Sequence, residues 1–308
     1  MNITSGKIPR AQRIVVYGPE GIGKSTFASQ FPKPVFIDTE GSTEHLNVAR
    51  TPKSNNWLEL TSQIQYFIDN DTEYSTLVID TIDWAEKLCI KNLLSEHNKS
   101  GIEDFGYGQG YVYLYEAMDR FLAKLEVLRN KGMNILFLAH SIVKRHDLPE
   151  ETGSYDRYEL KLEKKNTPLI KEWVDMVLFC NYEIYVVEDK GSSKKKAAGG
   201  SRVIYTSPTP YWSAKNRHGL KDKLKMEYSE ISHCIPGQKI DQNAFNTELY
   251  DLMKTYSITA EEIQQLVASA GHYSADVPID NYDTKFIQER IIGSWEAFHN
   301  AIITRRNK

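Results

Sequence analysis

Four short apolar runs mark the first half of the chain, each closed by a residue of different character. They are Ile14-Val15-Val16-Tyr17 before Gly18, Val35-Phe36-Ile37 before Asp38, Thr76-Leu77-Val78-Ile79 before Asp80, and Asn134-Ile135-Leu136-Phe137-Leu138-Ala139 before His140. Between them apolar residues recur three or four apart, most clearly at Leu114, Met118, Phe121, Leu122, Leu125 and Leu128, which is the period of an amphipathic helix. Runs that are apolar on both faces, alternating with helices, predict an α/β fold: a mostly parallel central sheet covered on both sides.

The pattern then changes. Trp173 to Phe179 and Glu183 to Val187 are strand-like, residues 190–201 are polar with glycines and four lysines, and Arg202 to Thr206 is strand-like again. This predicts a β-hairpin extension with a long polar tip. Pro236-Gly237 reads as a boundary, beyond which the signals are helical. Thr259 and Glu262 have capping-box spacing, and Phe286, Ile287, Ile291, Trp295, Phe298 and Ile302 make a stripe that reads as core. The expected organisation is an N-terminal arm over 1–12, an α/β core over 13–235 and a small helical C-terminal domain over 236–308.

With 308 residues, 41% of them hydrophobic, the chain can bury a full core. No run approaches the ~18 apolar residues of a membrane span, and MNITSGKIPRAQ lacks the apolar stretch of a signal peptide, so a cytoplasmic protein without membrane contact is expected. Cys89, Cys180 and Cys234 are isolated and suggest buried thiols rather than a disulfide framework or zinc site. The net charge is only −3, but residues 190–225 carry ten Lys/Arg against one acid, a local +9, whereas residues 226–308 carry twelve acids against seven Lys/Arg, a local −5. The basic stretch reads either as a footprint for a polyanion or as a solvated loop.

The chemistry begins after the first run. Gly18, Pro19, Glu20, Gly21, Ile22, Gly23, Lys24, Ser25 and Thr26 spell GxxxxGK[ST] between a strand and a helix start. Glycines there let backbone N–H groups curl round phosphates, Lys24 reaches the β- and γ-phosphates, and the Ser25 hydroxyl ligates Mg²⁺. ATP and Mg²⁺ are the expected cofactors. Asp80, closing an apolar strand, is the expected second Mg²⁺ residue; Asp83 reads as an acid at a helix N-terminus. Thr81 follows Asp80, where AAA+ ATPases and most helicases place the water-polarising glutamate. RecA-type ATPases carry it at the end of the strand after the P-loop helix instead, which points to Glu40.

Together GPEGIGKST, FIDTEG, LVIDTIDW, FLAHS and Ala214-Lys215-Asn216-Arg217 resemble the phage-encoded RecA-like ATPases of single-strand annealing and recombination systems, across residues 10 to 230. The resemblance implies a RecA-like P-loop NTPase core in a bacterial host cytoplasm, performing ATP-dependent work on single-stranded DNA. His140 would be the γ-phosphate sensor, at a position where RecA usually has glutamine. Lys215 and Arg217 would enter a neighbouring copy's site in a ring or filament. DNA contacts would come from Lys144, Arg145, Tyr155 and Arg157 after the sensor strand, with Lys194, Lys195 and Lys196 neutralising backbone phosphates. Phe105 to Tyr111 reads either as a further contact or as a packing turn. A single-strand-binding protein is a further expected partner. The N-terminal arm departs from RecA in lacking an aromatic polymerisation element. Two other readings compete. A small-molecule kinase would need a lid of arginines that Arg120, Arg129 and Arg145 do not form. A nucleotide-gated loader or assembly module, binding a replication or recombination protein, would fit the acidic helical C-terminus.

Overall fold

The computed structural model describes residues 10–147, 153–188, 195–235, 242–275, 277, 279, 282–283 and 286–306. Among these residues the strands are β1 (Arg13–Gly18), β2 (Pro34–Asp38), β3 (Ala49–Arg50), β4 (Thr76–Asp80), β5 (Asn134–Asp147), β6 (Ser154–Leu160), β7 (Met176–Glu188), β8 (Lys195–Tyr205) and β9 (Lys223–Lys225). The apolar runs form a central sheet in the order β3-β2-β4-β5-β1-β7-β8-β9, parallel from β3 to β7 and antiparallel over β7-β8-β9. This is the α/β fold of a P-loop NTPase core.

Burial on both faces explains why the runs are continuous. In β1, Val15 and Tyr17 join the core that packs on α2 (Trp57–Asp69), α3 (Ile82–Glu96), α4 (Gln109–Asn130) and α5 (Asn166–Trp173). Ile14 and Val16 join a second core with Phe27 and Phe31, which includes Ile231 and Cys234. The helix after the P-loop, α1, is short (Lys24–Ala28), since Pro32 and Pro34 follow and start β2.

Two strands run further than their apolar patterns suggest. β5 does not stop at His140; Ser141 to Asp147 continue it and pair antiparallel with β6, so the expected DNA loop is instead a two-stranded ribbon. Its exposure follows no two-residue period, with the adjacent Ile142 and Val143 both exposed and the adjacent Glu159 and Leu160 both buried, which leaves no apolar alternation to read. Likewise β8 begins at Lys195, within the segment read as a hairpin tip. Its backbone pairs with β7 across a bulge at Glu183/Ile184, where Gly199 and Gly200 take φ of 113° and 115°.

Contacts divide the chain into two compact units, Met1–Gln238 and Lys239–Lys308. The second contains α6 (Gln242–Tyr256), α7 (Ala260–Ser269), a π-helical turn (Ile287–Ile292) and α8 (Trp295–Arg306) around Leu249, Ile263, Val267, Ile291 and Ile302. Thr259 caps α7: its Oγ1 accepts from the Glu262 N–H at 3.3 Å, and its own N–H donates to Glu262 Oε2 at 2.9 Å.

Candidate functional site

Gly18 ends β1 against β7, so close that a Cβ would stand 2.3 Å from the Cys180 carbonyl oxygen. Gly21 and Gly23 have φ of 72° and 99°, a region that L side chains disfavour, and they turn the loop back toward α1. Lys24 follows at the start of α1. Its ammonium donates to the carbonyls of Gly18 (3.1 Å) and Pro19 (2.9 Å), and burial lowers its pKa.

Ser25 Oγ donates to Asp80 Oδ2 at 2.6 Å, joining α1 to the end of β4. Asp80 is 2% exposed. Burial pushes its pKa up to about 6; Asp38 and Glu40 add to the rise, and Ser25 and Lys24 oppose it. A hydroxyl and a desolvated carboxylate in contact suit a small hard cation that also takes phosphate oxygens and water. The pair therefore fits Mg²⁺. Among the described residues no cluster of three or more His, Cys, Asp or Glu is arranged to hold a metal.

The end of β2 is laced to the end of β4. The Thr39 N–H donates to the Asp80 carbonyl at 2.8 Å, while Thr39 Oγ1 donates to the Thr81 carbonyl and accepts from the Thr81 N–H, both at 2.9 Å. The Asp80–Thr81 peptide is cis. Asp38 organises the following turn, accepting from the N–H groups of Glu40 (3.0 Å), Gly41 (2.6 Å) and Thr43 (2.9 Å) and from Thr43 Oγ1 (2.7 Å). Burial works to raise the Asp38 pKa, but these bonds outweigh it and hold the carboxyl below the usual range. Glu40 is thereby set, half-buried, on the Asp80 side of the site, and its carbonyl is gripped by Lys53 Nζ at 2.8 Å.

His140 pairs with Gly18 across the β1–β5 ladder, so the sensor candidate stands beside the root of the P-loop. Its N–H donates to Asp83 Oδ1 at 3.0 Å, and Nδ1 lies 2.9 Å from Asp83 Oδ2. Burial would raise the Asp83 pKa, but the bonds to His140 prevail and lower it. Asp83 is thus more than a helix acid: it orients His140 from the first turn of α3. Three-residue spacing from Asp80 was the available signal, but the partner lies 57 residues away.

The structure brings Lys24, Ser25, Glu40, Asp80 and His140 together at the C-terminal ends of β1, β2 and β4 and the middle of β5, where His140 faces Gly18. Lys215 and Arg217 lie elsewhere, at the Arg13 end of β1. Lys215 Nζ donates to the carbonyls of Lys171, Glu172 and Val174, closing the end of α5, and Arg217 pairs with Asp175 at 3.1 Å. Lys144 and Arg145 are on β5, where Lys144 faces Arg157 and His146 faces Tyr155 across the ribbon. Arg145 bonds the Ser154 hydroxyl. Arg157 turns inward, with Nε 2.8 Å from Glu159 Oε1 and Nη2 donating to Ser213 Oγ at 2.9 Å. Lys195 and Lys196 pair through their backbones with Glu188 and Val187, and Lys194 lies outside the described residues.

The model of a protein family described as an AAA domain matches residues 10–218, which is the segment that carries the P-loop, Asp80, His140 and Lys215. The chain belongs to this AAA-domain family. Comparison with curated proteins finds none that matches it. As an AAA-domain protein it is a nucleotide-binding P-loop ATPase. Among the described residues of this AAA-domain protein, no helix is long and apolar enough to cross a membrane.

Proposed function

We propose that this protein is a Mg²⁺-dependent, RecA-like ATPase that couples hydrolysis of ATP to work on single-stranded DNA in recombination, annealing or repair, as the resembling phage systems do. The observation that carries the reading is the continuity of β5. One strand holds His140 beside Gly18 and then leaves the central sheet as the ribbon bearing Lys144 and Arg145. A change at the terminal phosphate, felt by His140, has a direct backbone path to a basic surface.

In this reading Lys24 leaves the Gly18 and Pro19 carbonyls for the β- and γ-phosphates. Ser25 and Asp80 hold Mg²⁺, which when bound neutralises charge on the phosphate oxygens. Glu40 orients the attacking water, and Asp83 keeps the His140 ring directed at the site. Assembly is part of the proposal: Lys215 and Arg217 lie at the end of β1 away from their own P-loop, and in an assembly they exchange the α5 carbonyls and Asp175 for the ATP site of a neighbouring copy. Lys194, Lys195 and Lys196 add phosphate neutralisation, and a single-strand-binding protein is a candidate partner.

The test is ATP turnover and affinity with and without single-stranded oligonucleotide. Lys24→Ala is expected to lose nucleotide binding, whereas Glu40→Gln keeps binding and loses hydrolysis, since its interaction is made chiefly in the transition state. DNA is expected to stimulate the wild type. Turnover indifferent to DNA would favour the nucleotide-gated assembly module, and normal turnover in Glu40→Gln would remove Glu40 from its assigned role.

A further inference from the structure

On the other side of the P-loop from Asp80, the β7–β8 hairpin rests on the loop itself. Tyr182 and Arg202 are cross-strand partners in that hairpin. The Tyr182 hydroxyl lies 3.5 Å from the Gly21 carbonyl and Arg202 Nη1 lies 3.4 Å from the Ile22 carbonyl. Arg202 is exposed, and among the described residues the Ile22 carbonyl is its one hydrogen-bond acceptor, at a long distance. A guanidinium has five N–H donors, so toward the described residues nearly all of its capacity is unspent. It also lies so close to the loop that a Cβ on Gly23 would stand 2.6 Å from Nη1.

Strand order fixes which part of a nucleotide this cation faces. Asp80 on β4 and His140 on β5 lie on one side of β1, and Arg202 on β8 lies on the other, beyond β7. With Mg²⁺ and the terminal phosphate on the β4–β5 side, the nucleoside end leaves toward β8. There a groove of about 470 Å³ runs from Gly23 along Thr26 and Gln30, walled by Arg202, Lys225 and Glu227. Arg202 stands at its P-loop end.

We propose that Arg202 is a phosphate-binding residue of this site, exchanging the Ile22 carbonyl for the nucleoside-side phosphate of a nucleotide bound to the same chain. The proposal rests on the ATP reading above and adds a residue outside the P-loop motif. Because Arg202 is paired with Tyr182, it also ties the hairpin to the presence of nucleotide rather than to the state of the terminal phosphate. A planar fork donating two bonds to a phosphate is stronger than a single neutral contact.

Isothermal titration of ATP and of ADP into wild type, Arg202→Ala, Arg202→Lys and Lys24→Ala tests this. Arg202→Ala is expected to weaken ATP and ADP by the same factor, roughly tenfold to a hundredfold. Arg202→Lys recovers part of the loss, because it keeps the charge and loses the fork. In turnover assays the loss appears as a raised KM. Since Arg202 is exposed, thermal unfolding of both variants is expected to match wild type. ATP and ADP affinities of Arg202→Ala within twofold of wild type would overturn the proposal. So would a loss confined to ATP, which would move Arg202 to the terminal phosphate. A wild type that binds neither nucleotide, like Lys24→Ala, would instead bring down the ATP reading on which it rests.

Discussion

Replacing Asp80 by asparagine isolates the cost of keeping a carboxylate in the floor of the nucleotide site. The group is 2% exposed, and its pKa rises from 3.8 to about 6, chiefly through burial. A folded-state pKa above the unfolded one means that the native state binds the proton more tightly. Stability therefore falls as pH rises from about 4 to about 6, and the full penalty is present above that range. A rise of about two units at 1.36 kcal/mol each amounts to a penalty on the order of 3 kcal/mol. Asparagine keeps an oxygen to accept the Ser25 hydroxyl and carries no charge to desolvate. Asp80→Asn is expected to be more stable than wild type at pH 7.5, by up to that amount, and to converge with it near pH 4. The corresponding shift in melting temperature is roughly 6–12 °C. Urea and thermal melts of both proteins across pH 4.5–8, without Mg²⁺ or nucleotide, measure it. Equal stability at pH 7.5, with the curves of the two proteins parallel across the range, would refute the reasoning. The same variant is expected to lose Mg²⁺-dependent turnover, so the gain in stability is obtained at the expense of the site.

Glu86 contributes a second, higher step to the same curve. Burial raises its pKa to about 7, although it accepts from Asn166 Nδ2 at 2.6 Å and from the Glu163 N–H at 3.0 Å. Stability therefore declines from about pH 4.5 to 7 on its account, and Glu86→Gln is expected to flatten the wild-type stability curve between pH 6 and 7, above the Asp80 step. Gly18→Ala forces β1 and β7 apart at the Cys180 carbonyl, and urea melts are expected to show a loss of about 1–3 kcal/mol, as for other overpacked sites.

The sheet was legible because each central run is apolar on both faces and ends where its functional residue begins, as at Gly18, Asp80 and His140. The P-loop was legible because its requirements are contiguous in sequence. What escaped detection depends on contacts that no local window contains. Asp83 meets His140 57 residues on, and Arg202 reaches the P-loop from 180 residues away. The β5–β6 ribbon is held by its backbone ladder and leaves no periodic burial to recognise. Lys215 and Arg217 stand out in sequence as a basic pair, yet the carbonyls of α5 and the Asp175 carboxylate that receive them become neighbours only after folding.

The strand order β4-β5-β1-β7-β8 has a temporal consequence. With the nucleotide seated as proposed, the β5–β6 ribbon and the β7–β8 hairpin are addressed by opposite ends of one molecule. The ribbon continuing from His140 answers to the terminal phosphate and changes state at cleavage. The hairpin carrying Arg202 answers to the part that remains and changes state only when the diphosphate departs. One turnover would then give two signals in a fixed succession, separated by the lifetime of bound product. That interval is set by how tightly the β8 side grips ADP, so slowing product release would lengthen the delay between the signals without altering their order.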